Sequence, residues 1–156
     1  GDCGAAAPIC DASGTCRAGD EGEPCMAASD CNMTAPICSI GGQCQDGGVG
    51  DPCMDPLDCG SMAPLCSPGG ACQVGVEGDP CTDIVECDDV LAPFCGPDDL
   101  CHDGDEGDPC GGDTECDPMV APYCIPSDDL CHDGSAGDPC QNGADCINDC
   151  VTNVCN

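Results

Sequence analysis

The sequence predicts a small disulfide-rich fold, a tandem array of four-cysteine units of about 28 residues that together form an elongated rod. We expect each unit to hold a short β-hairpin and little other regular secondary structure. Three observations support this class. Cysteine accounts for 23 of the 156 residues, a Gly-Asp-Pro-Cys motif recurs at nearly constant intervals, and the turn-forming residues Gly and Pro number 23 and 15.

The apolar content is too low for an ordinary hydrophobic core. Leu, Ile, Val and Phe total 20 residues, and Trp is absent. Phe94 is the single phenylalanine and Tyr123 the single tyrosine. With a formal net charge of -30, such a chain would normally stay disordered, because burial could not offset the entropy of ordering it. Disulfides can supply the missing stabilisation. We therefore expect a secreted, extracellular protein at a cell surface or in a filament.

The charge balance also excludes classes of partner. Arg17 is the single basic residue besides two histidines, so the Lys/Arg footprint that nucleic acids require is absent. No apolar stretch approaches the roughly 18 residues of a membrane span. Self-repulsion of the carboxylates makes divalent cations expected counterions.

The motif Gly50-Asp51-Pro52-Cys53 defines the repeat. Equivalent segments precede Cys25, Cys81, Cys110 and Cys140, at intervals of 28 to 30 residues. This periodicity predicts the following organisation: a truncated repeat with its linker over 1–24, repeats over 25–52, 53–80, 81–109 and 110–139, and a compressed C-terminal capping repeat over 140–156.

Each unit continues through three more cysteines. After Cys53, the second cysteine, Cys59, comes six positions later and follows an acidic residue; the third, Cys66, follows Ala-Pro and one apolar residue; Cys72 closes the unit. The segment Met54–Asp58 is long enough for one helical turn. Gly and Pro between the third and fourth cysteines predict the hairpin.

The linker from each fourth cysteine to the next first cysteine has one length throughout: Cys, two residues, Gly, two residues, Gly, Asp or Glu, Pro, Cys. A flexible tether would tolerate changes in length. The constant length therefore predicts a fixed joint between neighbours and a semi-rigid rod.

Four cysteines per unit allow three pairings, and the sequence leaves them open. We favour first with third and second with fourth, because crossed bridges hold a small unit more completely; each closes a loop worth about 3 kcal/mol. The predicted bridges are Cys25–Cys38, Cys31–Cys44, Cys53–Cys66, Cys59–Cys72, Cys81–Cys95, Cys87–Cys101, Cys110–Cys124, Cys116–Cys131, Cys140–Cys150 and Cys146–Cys155, with Cys3–Cys16 in the N-terminal unit.

The N-terminal unit has three cysteines, which match the second, third and fourth positions of a unit whose first cysteine is absent. With Cys3 paired to Cys16, Cys10 is expected to be an orphan or intermolecular thiol. Because the chain begins with Gly1 rather than Met, we expect a processed or partial chain that continues into another copy or an upstream segment.

Metal sites are the main alternative use of these residues. Thiolate clusters favour closer cysteine spacing than the C-x5-C found here, so disulfides are preferred. Asp103, Asp105 and Asp108 alternate with glycine as in a calcium loop, without matching the EF-hand pattern, and are the candidate calcium ligands. His102 and His132 lack the C-x-x-C-H of haem attachment and are expected at the surface.

Two further surface features are expected. Asn32-Met33-Thr34 is an N-glycosylation sequon, which makes Asn32 a candidate modification site. The five methionines, together with the apolar residue before each third cysteine, are expected to pack between adjacent units. No Ser/His/Asp arrangement, phosphate-binding loop or desolvated carboxylate pair supports catalysis, so we expect a protein that is not an enzyme.

The repeat Gly-Asp-Pro-Cys, five residues, Cys, then Ala-Pro-x-Cys, five residues, Cys resembles the cysteine-rich tandem repeats of secreted bacterial surface proteins, which are similar to the Dickkopf N-terminal cysteine-rich domain. The resemblance implies a small disulfide-knotted module in an extracellular protein and transfers no catalytic residue. The function expected is structural, a fibre subunit or surface stalk. A calcium-dependent adhesion or ligand-binding module is the alternative.

Overall fold

From Cys25 onward, each repeat is a two-stranded hairpin joined to a single helical turn by two crossed disulfides. The structure is a computed structural model that describes residues 3–10 and 14–156. It confirms the prediction of a small disulfide-rich fold made of tandem units of about 28 residues. By its internal contacts the chain divides into two compact units, Gly1–Val74 and Gly75–Asn156.

The hairpins form between the third and fourth cysteines, which face each other across the ladder, as Cys66 and Cys72 do. All are antiparallel. In chain order, the strands of the described residues are β1 (Ile9–Cys10) with β2 (Cys16–Arg17), β3 (Ile37–Cys38) with β4 (Cys44–Gln45), β5 (Leu65–Cys66) with β6 (Cys72–Gln73), β7 (Phe94–Cys95) with β8 (Cys101–His102), β9 (Tyr123–Ile125) with β10 (Leu130–His132), and β11 (Cys150–Val151) with β12 (Val154–Cys155).

The expected helical turn between first and second cysteines is a 3-10 turn. In the repeat of Cys53, the Asp58 carboxylate accepts the backbone N–H of Met54 at 2.8 Å, and Asp55 accepts the N–H of Leu57 at 2.7 Å. The acidic residue before the second cysteine therefore caps the turn that precedes it. The 3-10 turns are η1 (Ala28–Asp30), η2 (Pro56–Asp58), η3 (Ile84–Glu86), η4 (Asp113–Glu115) and η5 (Gly143–Asp145), and residues 3–10 and 14–156 contain no α-helix.

The disulfides join first to third and second to fourth cysteines, the crossed arrangement that the sequence favours. The N-terminal unit holds the bridge Cys3–Cys16, and Cys10 lies outside the bridges, exposed at the surface. The remaining bridges are Cys25–Cys38, Cys31–Cys44, Cys53–Cys66, Cys59–Cys72, Cys81–Cys95, Cys87–Cys101, Cys110–Cys124, Cys116–Cys131, Cys140–Cys150 and Cys146–Cys155.

The core of each of the four repeats between Cys25 and Cys131 consists mainly of these bridges and one alanine. In one repeat, Cys81, Cys87 and Cys101 cluster with Ala92, which is fully buried. The alanine of the Ala-Pro pair is equally buried in the other complete repeats, at Ala35, Ala63 and Ala121. Alanine is used here because its side chain fits beside two crossed disulfides, where a larger residue would have to displace them.

The Gly-Asp-Pro-Cys segment belongs structurally to the repeat that follows it. The N–H of Gly50 donates to the carbonyl of Cys72 at 2.8 Å, and the N–H of Cys72 donates back to the carbonyl of Asp51 at 2.8 Å. The segment thus pairs with the hairpin as a third extended element. Equivalent bridges pair Pro24 with Gln43, Pro52 with Ala71, Pro80 with Leu100, Pro109 with Leu130 and Pro139 with Val154.

Among the residues that the structure describes, no helix has the length and apolar character needed to cross a membrane.

Candidate functional site: the joints between consecutive repeats

We use the word joint for the linker between one repeat's fourth cysteine and the next repeat's first cysteine, together with the residues that the linker contacts. The glutamine joint spans residues 44–53 and has Gln45 directly after the fourth cysteine. The two histidine joints span residues 101–110 and 131–140 and have His102 and His132 at that position. Glutamine and histidine joints share a backbone plan and differ in the side chain that follows the fourth cysteine and in its hydrogen-bond partners.

The shared plan begins with the first glycine of the linker. In the glutamine joint, the carbonyl of Gly47 accepts the N–H of Gly60, the residue after the second cysteine of the following repeat. The same bond ties every linker to its following repeat. The donor and acceptor pairs are Asn32 to Gly19 at 3.0 Å, Gly60 to Gly47 at 2.8 Å, Asp88 to Gly75 at 2.8 Å, Asp117 to Gly104 at 2.9 Å and Ile147 to Gly134 at 2.9 Å.

This first glycine is also in close contact with both neighbouring repeats. Gly104 has a φ of 82°, and a Cβ placed on it would lie 2.6 Å from the backbone nitrogen of Asp117 and 2.7 Å from the ring of Phe94. Phe94 is the apolar residue before the third cysteine. Ile9, Ile37 and Tyr123 occupy the same place against Gly19, Gly47 and Gly134. Only glycine fits this position.

The prediction that apolar side chains pack between repeats is therefore right for the residue before the third cysteine and wrong for the methionines. The methionines are among the most exposed side chains of the protein; Met33 is 96% and Met119 92% exposed. They lie beside the 3-10 turns and loops, whereas the joints are filled by backbone and by the residue before the third cysteine.

The acidic residue of Gly-Asp-Pro holds the linker in shape. One oxygen of the Asp51 carboxylate accepts the N–H groups of Gly47 and Gly48 at 2.9 and 3.0 Å. Glu23 makes the equivalent bonds to Gly19 and Asp20, and Asp79 makes them to Gly75 and Val76. These carboxylates thus have a structural use, which explains why an acidic residue stands before the proline in each repeat.

The glutamine joint is closed by uncharged hydrogen bonds. Gln45 is buried, and its Nε2 donates to the carbonyl of Pro52 at 2.9 Å and to the carbonyl of Asp58 at 3.2 Å. A single amide thereby connects the last strand of one repeat to two segments of the next.

In the histidine joints the side chain after the fourth cysteine lies among carboxylates. His102, 7% exposed, places Nδ1 2.9 Å from Glu77 Oε1 and Nε2 2.9 Å from Asp98 Oδ1, and Asp108 Oδ1 lies 3.7 Å from Nδ1. The expectation that this histidine lies at the surface is wrong. Glu77 comes from the linker that leads into the repeat, Asp98 from the hairpin turn, and Asp108 from the next linker.

His132 repeats the arrangement in the neighbouring joint and is likewise buried, contrary to expectation. Its Nδ1 lies 3.0 Å from Glu106 Oε1 and 3.9 Å from Asp138 Oδ1, and its Nε2 lies 3.1 Å from Asp128 Oδ2. Two joints of one chain thus carry the same four-residue constellation.

The electrostatics of the first histidine joint follow from burial and from these carboxylates. Burial by itself lowers the pKa of His102, but the hydrogen bonds and negative charges of Asp98 and Glu77 outweigh it, so the pKa is raised. Burial likewise raises the pKa of Asp98, and the bond to His102 reverses this, so that pKa is lowered. Burial and the charge of Glu77 raise the pKa of Asp108.

The candidate calcium ligands lie at this same joint, where oxygens of Asp103 and Asp108 already accept hydrogen bonds. Asp108 Oδ2 accepts the N–H groups of Gly104 and Asp105, both at 2.9 Å, while Oδ1 faces His102. Asp103 Oδ1 accepts the N–H of Asp105 at 3.1 Å. The repulsion of Asp103, with lesser effects of desolvation and other charges, raises the pKa of Asp105. Calcium binding here stays a prediction.

Asn32, the candidate glycosylation site, is part of the joint that follows the N-terminal unit. Its Nδ2 donates to Asp20 at 2.7 Å, and its Oδ1 accepts the N–H and the hydroxyl of Thr34 at 2.8 and 2.6 Å. The side chain thus helps to hold the linker to the repeat. Glycan attachment stays a prediction.

Groups of three cysteine sulfurs also lie within 4.8 Å of one another, as in Cys81, Cys87 and Cys101. These sulfurs belong to disulfides, so they are not available as thiolate ligands. Their proximity reflects the packing of two bridges against each other.

A sequence signal for the histidine joints exists within the chain itself. Three residues before the fourth cysteine, the repeats that carry His102 and His132 have Asp98 and Asp128. The repeats that carry Gln45 and Gln73 have glycine there, Gly41 and Gly69. Histidine and aspartate thus change together from repeat to repeat, as expected for side chains in contact.

Comparisons with protein-family models, with curated proteins and with solved structures found no match. The resemblance to Dickkopf-like bacterial surface repeats therefore stays an expectation based on cysteine spacing.

Proposed function

We propose that the chain is an extracellular structural protein, a disulfide-stapled repeat rod that serves as a fibre or filament subunit or as a surface stalk. The observation that carries this proposal is the repeated joint. One backbone hydrogen bond, from the residue after the second cysteine to the first linker glycine, recurs between every linker and its following repeat. A linker bonded and packed in this way does not act as a free tether, which favours a spacer of defined geometry.

The stabilisation of the repeats fits the same role. The repeat cores are made of disulfides, with one alanine in each of the four repeats between Cys25 and Cys131, so their stability depends on an oxidising, extracellular environment rather than on a large apolar interior. Outside these small cores, most residues of the chain lie in linkers, hairpins and turns. The partners expected are further copies of the chain or the rest of a longer parent chain.

Small-angle X-ray scattering of the oxidised chain in EDTA tests the rod. A globular chain of 156 residues has a radius of gyration of about 15 Å, and an unfolded one about 41 Å. We expect an intermediate value with the scattering of a rigid cylinder. A value near 15 Å would refute the rod, and a coil-like curve would refute the fixed joints.

Sedimentation velocity over a concentration series, with reducing and non-reducing gels, tests the fibre subunit. Assembly that grows with concentration, or a covalent ladder that disappears on reduction, supports self-association. A monomer at all concentrations leaves only the stalk role.

In parallel, a calcium titration by calorimetry tests the alternative, a calcium-dependent adhesion or ligand-binding module: saturable micromolar sites would favour that function over the structural one.

A further inference from the structure

A groove lies between two consecutive repeats of the compact unit Gly75–Asn156. Its volume is about 450 Å³, within the size range of small-molecule sites, and its walls come from the repeat over 81–109 and from the turn η4 of the repeat over 110–139. We propose that this groove binds aliphatic diamines or polyamines, small molecules in which an apolar chain joins ammonium groups. The inference does not depend on whether the chain forms fibres or stalks.

Three carboxylates line the groove. Asp83 and Asp99 belong to the first of the two repeats, and Glu115 comes from the second. Hydrogen bonds to the local backbone fix two of them, because Asp83 accepts the N–H of Val85 at 3.3 Å and Glu115 accepts the N–H of Gly111 at 2.6 Å. A carboxylate has about four lone-pair sites, so these backbone bonds leave each group able to accept the N–H of an ammonium ligand.

The third carboxylate, Asp99, is placed in the groove at a conformational cost. Its φ is 63°, in the left-handed region, and the equivalent residues of the two preceding repeats are Gly42 and Gly70, with φ of 70° and 74°. Aspartate tolerates this region better than most residues, but glycine adopts it without strain. The first repeat of the groove therefore has a carboxylate where the backbone alone favours glycine, as is common at ligand sites.

Apolar side chains share the groove with these charges. Ile84 and Phe94 are among the lining residues, and Ile84 is 56% exposed. An alkyl chain gains free energy by covering such side chains, and an ammonium group beside an aromatic ring gains a cation–π attraction. A metal ion would use the carboxylate oxygens alone and would leave the apolar walls in water. The mixed lining therefore favours an organic cation over a metal ion.

The positive charge that complements the groove has to come from a ligand. Residues 75–156 contain no Lys or Arg, and the two histidines of this unit face carboxylates outside the groove, His102 at Asp98 and His132 at Asp128. Charge complementarity thus favours a cation and disfavours any anionic ligand. Because three carboxylates line one groove, several positive charges along one chain match it better than a single ammonium group does.

This set of side chains is particular to one pair of repeats. At the positions equivalent to Asp83, Phe94 and Asp99, the repeat over 25–52 has the uncharged and non-aromatic residues Ala27, Ile37 and Gly42. The position of Glu115 is acidic there too, as Asp58. That place therefore has one carboxylate instead of three and lacks the aromatic ring, so it serves as an internal control in the same chain.

NMR of the full oxidised chain, titrated with 1,5-diaminopentane, tests the proposal. A buffer with EDTA removes divalent cations, and about 150 mM NaCl limits diffuse attraction, since it screens charges beyond about 8 Å. We expect saturable shifts of the Phe94 ring, which is assigned at once as the single phenylalanine, and of the Thr114 amide in the groove. The equivalent residues Ile37 and Leu57 should shift little.

A titration with Mg²⁺ in buffer without EDTA is the control for charge alone. Mg²⁺ has the same charge as the diamine but no alkyl chain, so it should shift the Phe94 ring less at equal concentration. The proposal is overturned if Mg²⁺ and the diamine give equal shifts there. It is overturned equally if the diamine shifts Ile37 and Leu57 as much as Phe94 and Thr114, because binding would then be diffuse.

Two matched variants complete the test. Asp99→Gly introduces the natural residue of two other repeats and relieves the left-handed conformation, so the fold should be retained. It should weaken diamine binding by about twofold to fivefold, as expected for one exposed ionic contact. Asp129→Gly removes the same charge from the equivalent position outside the groove, where φ is 57°, and should leave the affinity almost unchanged. Equal weakening by the two variants would overturn the proposal.

Discussion

Glu77 and His102 are 25 positions apart in the sequence and are joined by a 2.9 Å contact between Oε1 and Nδ1. Glu77 uses its other oxygen to accept the N–H of Asp103, the residue after the histidine. One side chain thus bonds both to the ring and to the backbone that follows it. The strength of this pair depends on the charge of the ring.

The first prediction is that Glu77→Gln destabilises the unit of residues 75–156 in a pH-dependent way. The amide keeps an acceptor for Asp103 and removes the charge opposite His102, so the pKa of His102 should fall. A raised histidine pKa contributes stability that is fully present below about pH 6.5 and is lost as the pH rises through the folded-state value. Glu77→Gln should therefore lower the free energy of unfolding by about 1 kcal/mol at pH 6, a modest loss because Glu77 is half exposed. The loss should be smaller at pH 9.

Amide exchange at the two pH values measures this difference. Glu21→Gln is the matched control, because Glu21 has the same linker position in the unit where Gln45 replaces the histidine. Its effect should not change between pH 6 and pH 9. An equal loss for Glu77→Gln at both pH values would show that the pair acts without ring protonation.

The second prediction separates backbone strain from close packing within one linker. Gly104 and Gly107 both have positive φ, 82° and 95°, so alanine at either site costs about 1 kcal/mol. At Gly104 the added Cβ would also meet Asp117 and Phe94, whereas at Gly107 it meets nothing within 4 Å. Gly104→Ala should therefore cost a further 1 to 3 kcal/mol or so.

The exchange rate of the Asp117 amide, which donates to Gly104, reports directly on this joint. It should rise strongly in Gly104→Ala and little in Gly107→Ala. Equal effects of the two substitutions would mean that contact across the joint contributes nothing beyond the backbone conformation.

The repeat could be predicted from the sequence because its determinants are local. The spacing of Cys53, Cys59, Cys66 and Cys72 already indicates a turn, a hairpin and a small loop for each bridge. The capping role of Asp58 also acts over four positions, to Met54. Such short-range relationships can be recognised in a single sequence, without comparison with a homologous chain.

The joints could be predicted only in part, because their contacts join residues that are far apart in the chain. Constant linker length indicates a fixed joint, but the burial of His102 depends on Glu77, 25 positions before it. Hydropathy wrongly predicted that the methionines pack between repeats. They are exposed because a repeat with a disulfide core has no cavity for them. The repeat that has His102 where another repeat has Gln45 also has Asp98 where that repeat has Gly41. This paired difference between repeats was the sequence signal for the contact between histidine and aspartate.

The third prediction concerns the alanine of the core. Ala92 is fully buried among Cys81, Cys87 and Cys101, so Ala92→Val forces two methyl groups between crossed disulfides. We expect a loss of about 1 to 3 kcal/mol, measured by calorimetric unfolding of the oxidised protein. Ala136→Val is the control, because Ala136 is exposed and Val49 naturally occupies the equivalent linker position. A neutral Ala92→Val would mean that the core is loosely packed.

The fourth prediction is that reduction abolishes the fold of every repeat. Among residues 3–10 and 14–156, the largest fully buried side chain other than cysteine is Ile125 and the other buried apolar residues are alanines, so the reduced chain has little apolar surface to bury. At a net charge of -30, repulsion then favours the expanded state. Reduction followed by alkylation should collapse the dispersion of the NMR amide signals and move the radius of gyration towards about 41 Å.

Alkylation of the oxidised chain without reductant is the control, and it should leave the spectrum of the repeats unchanged. A reduced, alkylated chain that kept dispersed amide signals for the Asp117 and Ile147 joint bonds would contradict the prediction. In that case the joint hydrogen bonds, rather than the bridges, would hold the repeats. Their backbone donors and acceptors are too few to offset the entropy of some 28 residues per repeat, which is why we expect the bridges to be required.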